Sequence, residues 1–201
     1  MSRRKIVTAA KDKSVDQARF WRSWLERPLM TGAVAPSSPW LARAMASYVN
    51  SDIVGPVIEL GPGTGPVTQA LVRHGIPQNR LILVEYSADF CKLLKRRFPE
   101  ATIIQGDAYN ITDTLKGVLS EPAAAVVSSL PLMTKPLDTR VSLLNEATTL
   151  MAADAPFIQF TYALMPPIPE ELPSHTCQAS KRIWRNMPPA RVWVYNQRSE
   201  T

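Results

Sequence analysis

The sequence predicts an α/β domain: a mostly parallel β-sheet with helices on both faces, closed by two antiparallel strands and preceded by a basic amphipathic helix. Three observations carry this prediction. Residues 57–67 (VIELGPGTGPV) join an apolar run holding Glu59 to three glycines at alternate positions, Gly61, Gly63 and Gly65, and then to Pro66. Glycine lets backbone N–H groups approach a ligand and proline is pre-organised for the first helical position, so the stretch reads as strand, tight turn and helix start. Beyond it, strand-like and helix-like apolar patterns alternate, which implies parallel strands with crossover helices. Past Pro166 the rhythm breaks into prolines and two short apolar segments joined by NMPPA.

In chain order, Ser14 is placed to cap a helix in which Val15, Ala18, Phe20, Trp21, Trp24, Leu25 and Leu29 share one arc. Asp16, Arg19, Ser23, Glu26 and Arg27 fill the opposite arc. Such a helix either packs on the domain core or lies in a bilayer interface. Residues 1–30 hold eight Lys/Arg against three Asp/Glu, a net +5 out of +6 for the whole chain. That concentration favours an anionic surface, a membrane or nucleic acid. At about 1 kcal/mol per basic residue near an anionic leaflet, the field supports interfacial binding by Trp21, Trp24, Arg19 and Arg22, whereas burial in a core would gain nothing from it.

Residues 31–49 begin as a Pro/Ser loop, and Leu41, Ala44, Met45 and Tyr48 then recur at helical spacing, with Ser37 or Ser38 as cap. Arg80 to Glu85, Ala101 to Gln105, Ala123 to Leu130 and Phe157 to Leu164 read as strands, and Ala88 to Phe98, Ile111 to Leu119 and Leu137 to Met151 as helices. Arg182 to Arg185 and Val192 to Tyr195 complete seven strands. Parallel sheets bind ligands at the carboxyl ends of their strands. The organisation expected is a terminal segment over 1–30 and one α/β domain over 31–201.

At 201 residues, with 45% apolar and 20% charged side chains, the chain suits a single large core. Cys91 and Cys177 are far apart and form no CxxC pair, which argues against a disulfide framework, metal ligation and redox chemistry. No run of 18 apolar residues exists, and the basic amino terminus lacks a signal peptide's apolar centre, so an intracellular protein is expected. His74 and His175 are isolated and expected at the surface. Cys91 is expected in the core.

A dinucleotide fingerprint GxGxxG starting at Gly61 needs a sixth-position glycine, where this chain has Pro66. The spacing present, ExGxGxG from Glu59 to Gly65, matches the first motif of class I S-adenosylmethionine-dependent methyltransferases. Together with the Ser128-Ser129-Leu130-Pro131 turn, GAVAPSS ahead of the first strand and NMPPARVWVY near the end, it resembles bacterial phospholipid N-methyltransferases of the soluble, membrane-associating kind. The resemblance implies a Rossmann-like three-layer sandwich with a seven-stranded sheet. It implies S-adenosylmethionine as donor, with Glu59, Gly61, Gly63 and Gly65 around its methionine part and Glu85, beside Tyr86, accepting from the ribose hydroxyls. Gly106, Asp107 and Ala108 would lie at the adenine and Ser128 beside the cofactor. The acceptor would be phosphatidylethanolamine and its methylated forms, at an anionic phospholipid surface on the inner face of the cytoplasmic membrane, with no metal and no nucleic acid. Ser37, Ser38 and Leu130 would contact substrate or membrane.

Amino-methylating relatives often carry Asn/Asp-Pro-Pro-aromatic where this chain has SSLP, so the acceptor side is a departure. Ser129 is the candidate for substrate contact. Tyr109 and Tyr162 are candidates to accept a proton or to hold an amine by cation–π contact. An RNA adenine N6-methyltransferase and a non-catalytic membrane-binding protein of the same fold remain as alternatives.

Overall fold

The computed structural model describes residues 37–170 and 172–198. The expected amphipathic helix with Arg19, Trp21, Arg22 and Trp24, and the boundary between residues 30 and 31, lie outside them. Seven strands, β1 (Val57–Leu60), β2 (Leu81–Glu85), β3 (Thr102–Gln105), β4 (Ala125–Ser128), β5 (Phe157–Thr161), β6 (His175–Ala179) and β7 (Arg191–Gln197), form one sheet in the order β3-β2-β1-β4-β5-β7-β6. The first five are parallel, and β7 runs antiparallel to both β5 and β6. Every residue of β1, β2 and β4 is buried, as the continuous apolar runs of a doubly covered parallel sheet require.

Helices α1 (Pro39–Ala46), α2 (Pro66–Arg73), α3 (Ala88–Arg97), α4 (Ile111–Thr114) and α5 (Leu137–Leu150) complete the layers. Leu41 and Met45 of α1, Val67 and Leu71 of α2, and Leu94 of α3 share one apolar cluster with Val57, Leu81, Leu83 and Val127 of the sheet. Leu143, Leu144 and Ala147 are the buried side of α5, which packs against β5. Ser38 caps α1, its Oγ accepting from the Leu41 N–H at 3.2 Å, with Pro39 as first helical residue.

The last hairpin differs from expectation. Arg182 to Arg185 is not a strand: only Ile183 pairs, with Ala190, in an isolated bridge, and β6 lies earlier, at His175–Ala179. HTCQA lacks apolar alternation because it is an edge strand whose outward side chains meet solvent. The helix expected over Ile111 to Leu119 stops at Thr114, and Gly117 lies just beyond at φ 74°, a conformation that cannot continue a helix. His74 is exposed, but His175 is 4% exposed, its ring nitrogens paired at 2.8 Å with Thr148 and Ser174 hydroxyls. Burial lowers its pKa.

Tyr195 in β7 holds the crossover that follows β5. Its hydroxyl donates to the Ile168 carbonyl at 2.8 Å and accepts from the Ile168 N–H at 3.2 Å, and its ring meets Phe157 edge-on at 6.2 Å. Phenylalanine would keep the ring contact and strand two buried backbone groups. Tyr195→Phe is therefore expected to cost about 1–3 kcal/mol, read as a lower denaturant midpoint with an unchanged slope.

Candidate active site

The glycine turn sits where β1 lies between β2 and β4, the point at which strand order reverses. The Gly61 N–H extends the sheet by donating to the Val84 carbonyl at 2.9 Å, and Gly65, at φ 83°, caps α2 with Pro66 as first helical residue. A β-carbon on Gly65 would lie 2.7 Å from the Phe98 ring and 3.1 Å from Leu94, so glycine there lets α3 pack against the turn. Gly63 is the reverse case. At φ 56° it faces open space, with nothing within 4 Å of where a β-carbon would stand. A ligand has room to press against that backbone. Arg97 of α3 donates to the Thr64 carbonyl and fixes the far side of the turn.

Two carboxylates flank the turn. Glu85 accepts the Gly63 N–H at 3.0 Å on Oε2 and the Ser87 N–H at 2.8 Å on Oε1. Burial raises its pKa, opposed by the backbone N–H groups of Ser87, Gly63 and Tyr86. Glu59 is wholly buried, and its Oε2 accepts from the Thr68 hydroxyl at 2.7 Å. Its Oε1 has no partner among the described residues. Burial pushes its pKa up to about 8 against the Thr68 hydrogen bonds, so Glu59 is mostly neutral at pH 7. Asp107 caps the turn Ala108–Asn110 after β3, its Oδ1 accepting from the Tyr109 N–H at 2.9 Å, and the Gly106 N–H donates to the Glu85 carbonyl at 3.1 Å.

Beside the glycine turn, the exit of β4 presents hydroxyl groups. Ser128 is buried at the end of β4, with Oγ accepting from the Leu130 N–H at 3.4 Å, and the Ser129 N–H donates to the Leu60 carbonyl at 2.9 Å. The Ser129 Oγ is buried and without a partner among the described residues, as is the Tyr109 hydroxyl. Lys135, from the turn after SSLP, stands 4.7 Å from the Tyr109 ring centroid and brings these two regions together. Burial, with the Asp107 charge, raises the Tyr109 pKa, and burial pushes Tyr162 up to about 12 against a hydrogen bond from Asn186. Both phenols are neutral at physiological pH, so a tyrosinate base is unfavourable. Tyr162 and Ser129 leave the adjacent strands β5 and β4 on the edge that holds the glycine turn.

Ser38 uses its hydroxyl as a helix cap, and its N–H donates to Asn186 Oδ1 at 3.0 Å, while Ser37 is half-buried beside it. Two residues not expected from sequence hold this edge together. Gln159 in β5 donates to the Leu130 carbonyl at 3.0 Å and so fixes the SSLP turn, and Asn186 joins α1 to the turn before β7. A buried glutamine inside the apolar strand FIQFT was the available signal for the first.

The open backbone at Gly63 and the Glu85 carboxylate beside it fit a small ligand carrying hydroxyl donors. With the sheet order, this turn and an acid ending β2, the fold and site define a class I S-adenosylmethionine-dependent methyltransferase. The fold matches a solved structure titled as a TehB-like SAM-dependent methyltransferase from Corynebacterium glutamicum, with a TM-score of 0.57 at 16% identity, over 94% of this chain and 100% of that one. No family model matches. The ornithine lipid N-methyltransferase of Singulisphaera acidiphila is 33% identical over 132 residues, 64% of this chain and 69% of that protein, and this chain belongs to its family. A ribosomal RNA small subunit methyltransferase A from Synechococcus sp. strain JA-3-3Ab is 31% identical over 131 residues, 54% of this chain but 43% of that protein.

Glu85→Gln removes a charged acceptor. Hydrogen bonds to charged groups contribute about 1.5–3 kcal/mol, so the Kd for S-adenosylmethionine is expected to rise roughly 10- to 150-fold by calorimetry. Glu59 has a folded pKa of about 8, above its ordinary 4.5. Its contribution to stability is whole below the ordinary value and is lost as pH rises through about 8. Across that window the free protein is expected to lose stability relative to Glu59→Gln, by at most about 1.4 kcal/mol per pH unit, in denaturant melts at matched ionic strength.

Proposed function

We propose that this methyltransferase transfers methyl groups from S-adenosylmethionine to the amine of phosphatidylethanolamine and of its mono- and dimethyl forms, leading to phosphatidylcholine, while bound peripherally to the inner face of the cytoplasmic membrane. The observation that carries a lipid amine is the relationship to ornithine lipid N-methyltransferase. The basic, Trp-rich segment 1–30 supports an anionic membrane as the place of reaction. Among the described residues no helix is long and apolar enough to cross a membrane.

The glycine turn would hold the methionine part of the donor, Glu85 the ribose hydroxyls and Asp107 the adenine amino group. When bound, S-adenosylmethionine supplies a methyl carbon on a sulfonium, already activated for attack by a neutral amine. An amine with a pKa near 10 is only about one part in a thousand neutral at pH 7, a deficit of roughly 4 kcal/mol. The edge around Ser129 counters that deficit by excluding water, because desolvation disfavours the ammonium. The amine loses its proton to solvent before it enters this edge. In the primary and monomethyl amines the Ser129 Oγ would accept from a remaining N–H and orient the lone pair, whereas the dimethyl amine, with no N–H left, would be oriented by packing alone. Tyr109 and Tyr162, neutral and half-buried, line the approach. Positioning then supplies most of the acceleration, with no strong base.

Labelled S-adenosylmethionine incubated with the full chain and phosphatidylethanolamine vesicles is expected to yield labelled lipid. Folded, cofactor-binding protein that labels no lipid overturns the proposal. Parallel vesicles of ornithine lipid test the second reading, which the same relative favours, and an RNA arm tests adenine methylation. Removal of residues 1–30 is expected to lower vesicle binding by tenfold or more, given about 1 kcal/mol per basic residue, and Trp21→Ala with Trp24→Ala to lower it less.

A further inference from the structure

The connection between β6 and β7 and the exposed side of α1, with Trp40 and Arg43, form one surface. The Trp40 ring, 44% exposed, has the Arg43 guanidinium carbon 4.2 Å and that of Arg185 4.4 Å from its centroid. Asn186 ties the two segments, accepting from the Ser38 N–H at 3.0 Å and donating to the Pro188 carbonyl at 2.7 Å. Trp184 and Met187 on the same turn are 74% and 82% exposed, and Arg182 stands 5.8 Å from the Trp184 ring. Arg182 also donates to the Tyr162 carbonyl at 3.2 Å, which draws in the exit of β5 with exposed Leu164 and Met165.

Charge and position bear on what this surface meets. From Leu172 to Arg198 the chain carries Lys181, Arg182, Arg185, Arg191 and Arg198 and no acid, and residues 37–51 carry Arg43 and no acid. None of these arginines forms an ion pair with a described residue, where Lys92 with Asp89 is the pair found. Thr161 pairs with Arg191 and Ala179 with Trp193, so the connection emerges on the edge where β5 ends, the edge of the glycine turn. Exposed tryptophan, methionine and leucine among unpaired arginines match a bilayer interface, where the apolar groups leave water and each cation near an anionic headgroup gains about 1 kcal/mol. A polynucleotide would use the arginines and the rings but would leave Leu164, Met165 and Met187 without a role.

We propose that this surface, on the methyltransferase domain itself and separate from residues 1–30, docks onto a membrane carrying anionic lipid and sets the active edge against the headgroups. The inference rests on the lipid-amine reading above.

The test uses the full chain with Trp184→Ser, Arg185→Gln and Met187→Ser combined, and separately Arg185→Glu. Substrates are mixed phosphatidylethanolamine–phosphatidylglycerol vesicles and a short-chain phosphatidylethanolamine kept monomeric in solution. Calorimetry with S-adenosylmethionine confirms that each variant is folded. Vesicle turnover is expected to fall about tenfold or more in the triple variant, while turnover of monomeric lipid and the cofactor Kd stay within about twofold. Arg185→Glu is expected to lose turnover on anionic vesicles more than on neutral ones. Unchanged vesicle turnover, or equal loss on both substrates, overturns the surface. If the unaltered chain methylates neither lipid form, the lipid reading itself fails, and co-sedimentation then decides the surface, which is overturned by equal vesicle binding of variant and parent. Loss of single-stranded RNA binding in the variant with vesicle binding intact overturns it in favour of a nucleic acid.

Discussion

The carboxylate of Glu85 is buried at the end of β2 and must find donors, because an ionised acid without them would cost several kcal/mol. It finds them in two turns at once, the Gly63 N–H after β1 and the Ser87 N–H at the start of α3. That single group therefore sets the height of the glycine turn above the sheet. Much else follows from the height: Gly65 stands where α3 can close on it, Pro66 opens α2, and the free face of Gly63 points at open space. Glu59 works in the opposite sense. Neutral and bonded to Thr68, it anchors β1 to α2 without adding a second charge beside Glu85.

On the proposed reading, Ser129, Tyr109 and Tyr162 would offer an incoming amine lone pairs and ring faces, and none of the three is an ionised base. A carboxylate in direct contact with the amine would hold it as the charged, unreactive ammonium, since an opposite charge nearby favours the charged state.

Elements specified by local chemistry were legible in the chain. Pro66 after three glycines, Ser38 before Pro39 and the continuous apolar runs of β1 and β2 each determine their own conformation, and each stands where its spacing predicted. Glu85 was legible as an acid ending a strand, and its place against Gly63 gives that expectation a geometry. What escaped depends on distant partners. The edge strand His175–Ala179 has no apolar signal, because pairing with β7 alone defines it. Gln159 and Asn186 act through contacts across 29 and 148 residues, which no spacing rule reports. His175 is buried because Thr148 and Ser174 satisfy both of its nitrogens, a pairing created only by packing.

The hydroxyl of Tyr195 grips Ile168 by both its N–H and its carbonyl, seven residues past the end of β5. Because β6 starts at the opposite edge of the sheet, the chain between must descend its full height, and this grip divides the descent in two. The upper half is a leash of six residues, fastened at Thr161 and at Ile168 and no more than about 25 Å long when fully drawn out. Leu164 and Met165 ride near its midpoint. Whatever excursions they make, their reach is rationed by a tyrosine on a different strand, and they stay within a few side-chain lengths of the cofactor edge.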